Sequence, residues 1–185
     1  MLVILLKIIK LIKNFGVKVK HLEQGSFEFQ ADAIDLDYLN SEQFKNDGKG
    51  LRGSIMLVGP LLARFGKAYL PQPGGDKIGR RRMDTHFAGL KKLGGDFNFD
   101  KDNNQYFLAP KQRQGAYILM DEISVTGTAN VVMAAALAQG ETVIYNAACE
   151  PYLQQLCKML NRMGAKISGI GSNLLVIDGV SKLKG

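Results

Sequence analysis

Hydrophobic and polar residues near the start of the chain recur with the 3.6-residue period of an α-helix. The apolar positions are Leu5, Ile8, Ile9, Ile12 and Phe15. The polar face carries Lys7, Lys10 and Lys13. A signal peptide requires a basic segment before the apolar residues and a cleavage site of small residues after them, and this segment has neither. The pattern predicts an amphipathic helix that packs on a protein core, in preference to a membrane anchor.

Three segments share a second pattern, in which the end of a helix is followed by a glycine and then by two short strands joined by a turn. The glycines are Gly16, Gly94 and Gly164, and they recur at comparable intervals. Glycine just beyond a helix suits the left-handed conformation that other residues resist. Phe27 and Phe29 alternate with polar residues, as a half-buried strand requires. The pattern predicts three copies of one supersecondary unit.

Two further segments are apolar on nearly every side, which is typical of helices surrounded by protein. We expect these buried helices at residues 54–65 and 128–139, with Gly66 and Gly140 in equivalent places after them. Pro60 should bend the first helix at most. Each complete repeat therefore combines one buried helix with one amphipathic outer helix and short strands between them.

These repeats predict an α/β fold in which small mixed sheets and outer helices surround buried helices with three-fold repetition. Residues 1–49 would form a remnant of the first repeat, residues 50–117 the second and residues 118–185 the third, all within one domain. The first repeat lacks a buried helix. We therefore expect an incomplete domain that is poorly stable by itself.

The charge balance adds a preference for anionic partners. The 185 residues include 24 Lys and Arg against 17 Asp and Glu, for a net charge of +7. Nucleic acid is not expected, because the basic residues are not interleaved with aromatic ones. No apolar stretch is long enough to span a bilayer. No metal constellation, Walker loop or dinucleotide motif occurs, so neither a metal nor a cofactor is expected.

Cys149 and Cys157 are the two cysteines of the chain. Their spacing puts both on one predicted helix, which argues against a disulfide framework or a four-ligand zinc site. We expect both to be packing residues in a reducing cytoplasm.

Candidate chemistry begins at Asp76, at the tip of the glycine-rich loop PQPGGDKIGRRR. One interpretation is a turn residue whose carboxylate caps backbone N–H groups. The alternative is a general acid on a mobile loop, which requires a carboxyl that stays protonated. Arg80, Arg81 and Arg82 are either a solvated basic turn or guanidinium donors for phosphate or carboxylate oxygens.

Other candidates lie at the starts of predicted helices. Arg52 stands beside an apolar segment and needs a partner, which an anionic ligand would supply. The segment DEISVTGTAN predicts an N-cap cluster, and its backbone N–H groups would alternatively accept a diphosphate. His86 shares a helical face with Arg82 and is either a ligand contact or a structural residue, whereas His21 is expected to face solvent.

Two long segments resemble the UDP-N-acetylglucosamine 1-carboxyvinyltransferases, the enolpyruvyl transferases that begin peptidoglycan synthesis. LRGSIMLVGPLLARFGKAYLPQPGGDKIGRRRMDTHFAGLKKLGG is similar to their R-A-S, L-G-P-L-x-A-R-F-G and P-G-G-C-x-I-G-x-R-P-x-D-x-H motifs. MDEISVTGTANVVMAAALAQGETVIYNAACEPYLQQLCKMLNRMGAKISGIG is similar to D-x-x-S-V-x-A-T and N-A-A-x-E-P, followed by L-G-A-x-I-x-G-x-G. The motifs follow in the right order over nearly the whole chain.

The resemblance implies two similar globes, each an inside-out α/β barrel of three repeats, with the active site in the cleft between them. This chain would form most of one globe, without the N-terminal segment and the second globe. The implied reaction transfers the enolpyruvyl group of phosphoenolpyruvate to the 3′-hydroxyl of UDP-N-acetylglucosamine and releases phosphate. We expect this cytoplasmic activity to need the complete protein.

The resemblance also implies roles for individual residues. Asp76 takes the place of the family's cysteine, which protonates the methylene carbon of phosphoenolpyruvate. Arg52 would help to hold the substrates, and Arg81 would contact phosphate and nucleotide. The segment implied on the uridine side of the sugar nucleotide holds Arg82, Met83, Asp84 and Thr85, and His86 follows it. A second nucleotide-binding segment is implied at Glu122, Ile123, Ser124 and Val125.

The departures from the family pattern carry consequences. A carboxyl at Asp76 delivers the same proton but offers no thiolate for fosfomycin to alkylate, so insensitivity to that drug is expected. Arg82 stands where the family has proline, which affects contacts there. An enzyme acting on shikimate 3-phosphate is disfavoured, because the P-G-G-D-x-I-G loop and the S-V segment belong to the nucleotide-sugar branch. A non-catalytic anion-binding fragment is the remaining alternative.

Overall fold

The computed structural model describes residues 2–49, 51–71, 83–95, 97–101, 104–109 and 112–185. The α-helices in these ranges are α1 (Leu2–Asn14), α2 (Glu42–Lys49), α3 (Val58–Phe65), α4 (Asp84–Lys92), α5 (Val125–Ala135) and α6 (Pro151–Arg162). The strands are β1 (Lys18–Glu23), β2 (Ser26–Gln30), β3 (Ala68–Pro71), β4 (Phe97–Asp100), β5 (Gln105–Leu108), β6 (Tyr117–Leu119), β7 (Glu141–Tyr145), β8 (Lys166–Ser168) and β9 (Leu174–Asp178). Short 3-10 helices occupy Tyr38–Asn40 and Arg52–Leu57.

The strands form three small sheets. β1 and β2 make an antiparallel hairpin, and a three-stranded sheet has the order β3-β5-β4. The third sheet has the order β6-β7-β9-β8, with β6 parallel to β7 and the other pairs antiparallel. Small mixed sheets combined with helices confirm the predicted α/β class.

The described residues divide into two compact units. Unit 1 lies within residues 1–55, 69–77 and 99–106, and unit 2 lies within residues 56–68, 78–98 and 107–185. Unit 2 contains α3, α4, α5 and α6 together with the four-stranded sheet. The arrangement of the three repeats as one domain stays a prediction.

The glycine helix ends follow the predicted pattern. Gly16, Gly94 and Gly164 have φ values of 104°, 93° and 104°. Each N–H donates to the carbonyl three residues earlier, at 3.1, 3.0 and 3.0 Å. The next N–H in each copy donates to the carbonyl five residues earlier, at 3.0, 3.1 and 2.9 Å. This recurring pair of bonds confirms the shared helix-end pattern and satisfies carbonyls that a helix end leaves unpaired.

The two buried helices begin elsewhere than expected. The first starts at Val58 rather than at position 54, because residues Arg52–Leu57 form a 3-10 helix. Pro60 consequently lies in the first turn of α3, where its missing N–H costs no intrahelical hydrogen bond. The second, α5, starts three residues earlier than expected, at Val125. Eight of its eleven residues are buried, which confirms that protein surrounds it.

Helix α1 is present, and its burial matches the expected face in part: Phe15 is buried as expected, whereas Leu5 is exposed and Leu11, which lies outside the expected face, is buried. Leu11 and Phe15 are 1% and 4% exposed, whereas Leu5 is 45% exposed. The backbone explains the shift toward the end of the helix, since the carbonyl of Phe15 accepts a hydrogen bond from Asp35 N–H where the chain folds back. Among the described residues, no helix combines the length and apolar character needed to cross a membrane.

The cysteines occupy different environments, which corrects the expectation that both are packing residues on one helix. Cys157 is 1% exposed inside α6. Cys149 is exposed and precedes that helix, because Pro151 sets the helix start. Both thiols are free.

Candidate functional site

The start of α4 carries one of the segments implied for nucleotide binding. Met83 precedes the helix and is half-buried, and Asp84 is exposed in the first turn. Thr85 and His86 are 1% and 5% exposed. The segment therefore has an outer part that solvent reaches and an inner part that faces neighbouring helices.

The start of α5 carries the second segment. The Oγ of Ser124 accepts a hydrogen bond from Gly127 N–H at 3.2 Å, which confirms the predicted N-cap. Thr128 Oγ1 donates to the Ser124 carbonyl at 2.7 Å. Glu122 and Ile123 are exposed before the cap, with Ile123 at 63%. The cap holds a loop whose side chains are open to solvent.

A direct hydrogen bond joins the two segments. Thr85 Oγ1 donates to Glu122 Oε1 at 3.1 Å. Gly127 supplies the room for this approach, since a Cβ there would lie 3.2 Å from Thr85 Cγ2 and 2.9 Å from Ser124 Oγ. The structure thus brings together the starts of α4 and α5, which the chain separates by 37 residues.

His86 provides further links between α4 and α5. Its Nδ1 lies 2.9 Å from Asn130 Nδ2, and its Nε2 lies 3.2 Å from Thr126 Oγ1. Asn130 is fully buried, and its Oδ1 accepts from Gly59 N–H of α3 at 2.9 Å. Both ring nitrogens therefore have protein partners, which favours the structural interpretation of His86 over direct ligand contact.

Glycine residues, which have no side chain, allow helices α3, α4 and α5 to approach one another closely. A Cβ at Gly59 of α3 would lie 2.5 Å from the Asn130 carbonyl oxygen, and a Cβ at Gly89 of α4 would lie 2.4 Å from Val131 Cγ2. Real Cβ atoms do not come so near to such atoms without a shift of the surroundings. Because interiors are close-packed, these contacts set the spacing of α3, α4 and α5.

The described parts of the two segments contain carboxylates, Asp84 and Glu122, and no basic residue. Carboxylates accept hydrogen bonds from hydroxyl and N–H groups, and free backbone N–H groups at a helix start donate to oxygens. Such a surface suits the neutral, hydrogen-bonding part of a nucleotide better than its phosphates. Within the described residues, no cluster of His, Cys, Asp and Glu could hold a metal ion.

The other predicted site residues are placed as follows. Arg52 is half-buried at the first position of a 3-10 helix, in unit 1. Asp76, Arg81 and Arg82 lie outside the described residues, as does Arg80. Their roles stay as the resemblance implies them.

The model of the family described as EPSP synthase (3-phosphoshikimate 1-carboxyvinyltransferase) matches residues 5–185. The chain belongs to this family. Two solved structures have the same fold: the enolpyruvyl transferase NikO from Streptomyces tendae and EPSP synthase from Acinetobacter baumannii. The first has a TM-score of 0.72 at 17% sequence identity and covers 92% of this chain and 39% of its own. The second has a TM-score of 0.67 at 17% sequence identity and covers 97% of this chain and 40% of its own. At that identity these members of the family establish the fold alone.

The chain is much more similar in sequence to curated UDP-N-acetylglucosamine 1-carboxyvinyltransferases than to these two solved structures. It is 58% identical to those of Bacteroides thetaiotaomicron and Porphyromonas gingivalis over 178 residues, which cover 96% of this chain and 41% of each relative. The relative from Treponema denticola is 48% identical over 177 residues. The resemblance read from the motifs is thereby confirmed, and the chain spans about two fifths of these relatives' length.

Sequence reasoning found both segments but missed what joins them. Asn130 and Gly59 carry the link from α3 to His86, and neither was a candidate residue. A signal existed, because Asn130 carries an amide next to the apolar run that follows it in the helix. Buried polar side chains are generally hydrogen-bonded, so such a residue predicts a specific partner without saying where that partner lies.

Proposed function

We propose that the protein containing this chain transfers the enolpyruvyl group of phosphoenolpyruvate to the 3′-hydroxyl of UDP-N-acetylglucosamine, with release of phosphate. The observation that carries the proposal is 58% identity to enzymes of that name over 96% of the chain. The reaction would be the first committed step of peptidoglycan synthesis in the cytoplasm. Its loss would impair cell-wall formation and thus cell shape and division.

The paired starts of α4 and α5 would bind the uridine side of the sugar nucleotide. Glu122 and Ile123 are exposed beside Asp84, so these three residues offer carboxylate acceptors and an apolar surface to an incoming ligand. Thr85 and His86 are buried, so their side chains would hold the surface while the Thr85 backbone contributes to it. Ser124 and Val125 would place backbone N–H groups at the start of α5.

The phosphates require positive charge, which the described residues of these two segments lack. Arg81 and Arg82 directly precede Met83 in the sequence. Guanidinium groups match phosphate oxygens with two parallel hydrogen bonds. We assign Arg81 to the phosphate and nucleotide, Arg82 to the segment on the uridine side of the sugar nucleotide, and Arg52 to holding the substrates as an anion-binding cation.

Asp76 would act as the general acid. Its carboxyl gives a proton to the methylene carbon of phosphoenolpyruvate while the sugar 3′-oxygen forms a bond to C2. The proton of the 3′-hydroxyl passes in this addition to a base outside this chain and leaves with the phosphate, and the proton that the methyl carbon gives up in the next step returns to the Asp76 carboxylate. The bond between C2 and the phosphate oxygen then breaks, phosphate leaves, and the former methylene carbon releases a proton to restore the double bond. The step consumes no oxidant or cofactor.

Phosphate release by the intact protein tests this proposal. We expect release to depend on both phosphoenolpyruvate and UDP-N-acetylglucosamine, and to be lost in Asp76→Ala while nucleotide binding remains measurable. Asp76→Glu is the matched control, since it keeps a carboxyl on a longer side chain and should keep partial activity. Full activity of Asp76→Ala would remove the assigned role.

Shikimate 3-phosphate is the second candidate acceptor, because the matching family model is named for that enzyme. The same assay separates the two candidates by exchanging the acceptor. Phosphate release with shikimate 3-phosphate alone as acceptor would favour this second candidate. Absence of phosphate release with either acceptor would favour a non-catalytic anion-binding protein.

A further inference from the structure

A buried line of polar contacts crosses three helices of unit 2. It runs from Gly59 of α3 through Asn130 of α5 to His86 of α4, and ends at Thr126 in the first turn of α5. Asn130 is fully buried and His86 is 5% exposed. A polar group so placed is costly unless its hydrogen bonds are made, so the directions of these bonds are informative.

The orientation of the Asn130 amide follows from Gly59. A backbone N–H only donates, and Gly59 N lies 2.9 Å from one amide atom of Asn130. That atom is consequently the oxygen, Oδ1. The amide nitrogen, Nδ2, then faces Nδ1 of His86 at 2.9 Å.

The protonation of His86 follows in turn. Because Asn130 Nδ2 carries only donors, His86 Nδ1 must accept and carries no hydrogen. The neutral ring then has its hydrogen on Nε2, which donates to Thr126 Oγ1 at 3.2 Å. A hydrogen on Nδ1 would set two donors against each other inside the protein.

We propose that Asn130 is a positioning residue for the nucleotide-sugar site: it fixes His86 as the neutral Nε2–H tautomer and so locks the first turn of α4 to the first turn of α5. This inference rests on the proposed function. Its structural basis is that His86 lies in the first turn of α4, directly after residues 83–85, and Thr126 lies in the first turn of α5, directly after residues 122–125. Asn130 itself is buried and acts through His86.

The Asn130→Asp variant tests the tautomer directly. Aspartate keeps the oxygen that accepts from Gly59 N–H but presents an oxygen to His86 Nδ1, which must then carry a hydrogen. Long-range 1H–15N spectra distinguish the two ring states. The spectra are recorded on the intact protein, where the signals lost in His86→Gln are those of His86. We expect the neutral Nε2–H pattern in the unmodified chain and a protonated Nδ1 in Asn130→Asp.

Hydrogen exchange tests the positioning. The amide of Phe87 donates to the Met83 carbonyl at 3.2 Å in the first turn of α4. In Asn130→Asp we expect this amide to exchange about tenfold faster, since a loosened turn opens more often. The amide of Gln154, which donates to the Glu150 carbonyl in α6, is the internal control and should not change. In the intact protein, UDP-N-acetylglucosamine should bind about tenfold more weakly.

A second variant covers the case in which Asn130→Asp fails to fold. Thr126 is exposed, so Thr126→Val removes the acceptor of the Nε2 hydrogen with little effect on the core. It should accelerate Phe87 exchange in the same direction by a smaller factor. The His86 tautomer of the unmodified protein can be measured without any variant.

The outcomes separate this inference from the proposed function. A hydrogen on Nδ1 in the unmodified chain, or unchanged Phe87 exchange in both variants, would overturn the role of Asn130. Unchanged nucleotide affinity with a switched tautomer would also overturn it. If the intact protein fails to bind UDP-N-acetylglucosamine while tautomer and exchange behave as stated, the proposed function fails and the locked turn stands.

Discussion

Thr85 donates its hydroxyl hydrogen to Oε1 of Glu122 at 3.1 Å, across 37 positions of sequence. One partner is buried and the other is exposed. The bond therefore connects the packed face of α4 with the solvent-facing loop before α5. Both ends belong to segments that we propose to bind the sugar nucleotide, so this contact should influence affinity more than stability.

Replacing Thr85 tests that contact. Thr85→Val keeps the shape of the side chain and the Cγ2 contact near Gly127 but removes the donor to Glu122. We expect UDP-N-acetylglucosamine to bind the intact protein about fivefold more weakly, which calorimetric titration measures. Thr85→Ser keeps the hydroxyl and is the matched control. Equal affinities for the valine variant and the original protein would show that the bond does not organise the site.

Because α4 and α5 approach closely at Gly89, we predict that a side chain at this position lowers the free energy of unfolding. Gly89→Ala puts a methyl group where Val131 Cγ2 lies 2.4 Å away, and such overpacking costs about 1–3 kcal/mol of unfolding free energy. Urea unfolding measures the change. The double variant Gly89→Ala/Val131→Ala should be more stable than the sum of the two single changes predicts, by about 1 kcal/mol.

A glycine elsewhere provides the control for this cycle. Gly140 has φ = 87° and open space around the added Cβ, so Gly140→Ala introduces backbone strain of about 1–2 kcal/mol without a clash. Its effect should add to that of Val131→Ala. Additive behaviour of Gly89→Ala as well would contradict the steric explanation.

The two thiols should react at very different rates. Cys149 is exposed, whereas burial raises the pKa of the Cys157 thiol above its usual 9.0. At pH 8 a thiol reagent should label Cys149 rapidly and Cys157 slowly, because the thiolate is the nucleophile. Cys149→Ser should leave only the slow reaction. Two equally fast thiols would contradict the burial of Cys157.

The raised pKa of Cys157 also makes the free energy of unfolding depend on pH. Below pH 9 the Cys157 thiol is protonated in both folded and unfolded chains, and its contribution is fully present. Above pH 9 the unfolded chain loses this proton first, so the unfolding free energy falls as the pH rises toward the folded pKa. Cys157→Ala should remove this component of the alkaline decline, as urea unfolding between pH 8 and pH 10 would show.

Arg113 should stabilise the end of α3. Its guanidinium donates to the carbonyl oxygens of Leu62 and Ala63 in the last turn of the helix. The Leu62 carbonyl also accepts a hydrogen bond from Gly66 N–H at 3.0 Å, so the guanidinium adds to the backbone cap. Arg113→Met should lower the unfolding free energy by about 2 kcal/mol. Arg162→Met is the control, since Arg162 is exposed at the end of α6 and its loss should change stability by no more than about 0.5 kcal/mol. Equal effects would exclude the capping role.

Because position 76 carries a carboxyl, we predict that the intact protein is insensitive to fosfomycin. The resemblance implies that fosfomycin alkylates the cysteine whose place Asp76 takes, and a carboxyl offers no such thiolate. Activity should therefore survive prolonged incubation with the drug. Asp76→Cys should keep activity and become sensitive, because it restores a thiolate at position 76. Covalent inactivation of the unmodified protein would contradict the prediction.

The features predicted successfully from sequence are those that local chemistry determines. The glycine helix ends at Gly16, Gly94 and Gly164 follow from backbone conformation, and the Ser124 cap follows from a side-chain acceptor next to free N–H groups. The alternation in Phe27 and Phe29 correctly indicated the β2 strand, but not its half-buried face, since Phe29 is 52% exposed. These rules act within a few residues, so one sequence suffices to apply them.

The errors and omissions involve distant partners. Whether α1 buries Leu5 or Leu11 depends on where neighbouring elements end, and the position of Cys149 depends on the helix start that Pro151 sets. The link from Asn130 to His86 joins positions 44 residues apart. Periodicity describes one element at a time and does not specify which polar groups meet between elements.

The crystal structure of the intact protein with UDP-N-acetylglucosamine bound is the most direct test of the proposed site. We predict that the uridine lies within hydrogen-bond distance of residues 83–85 and 122–125, with the Thr85–Glu122 bond intact beneath it. A nucleotide bound in another place, with the paired starts of α4 and α5 left in solvent, would contradict the account.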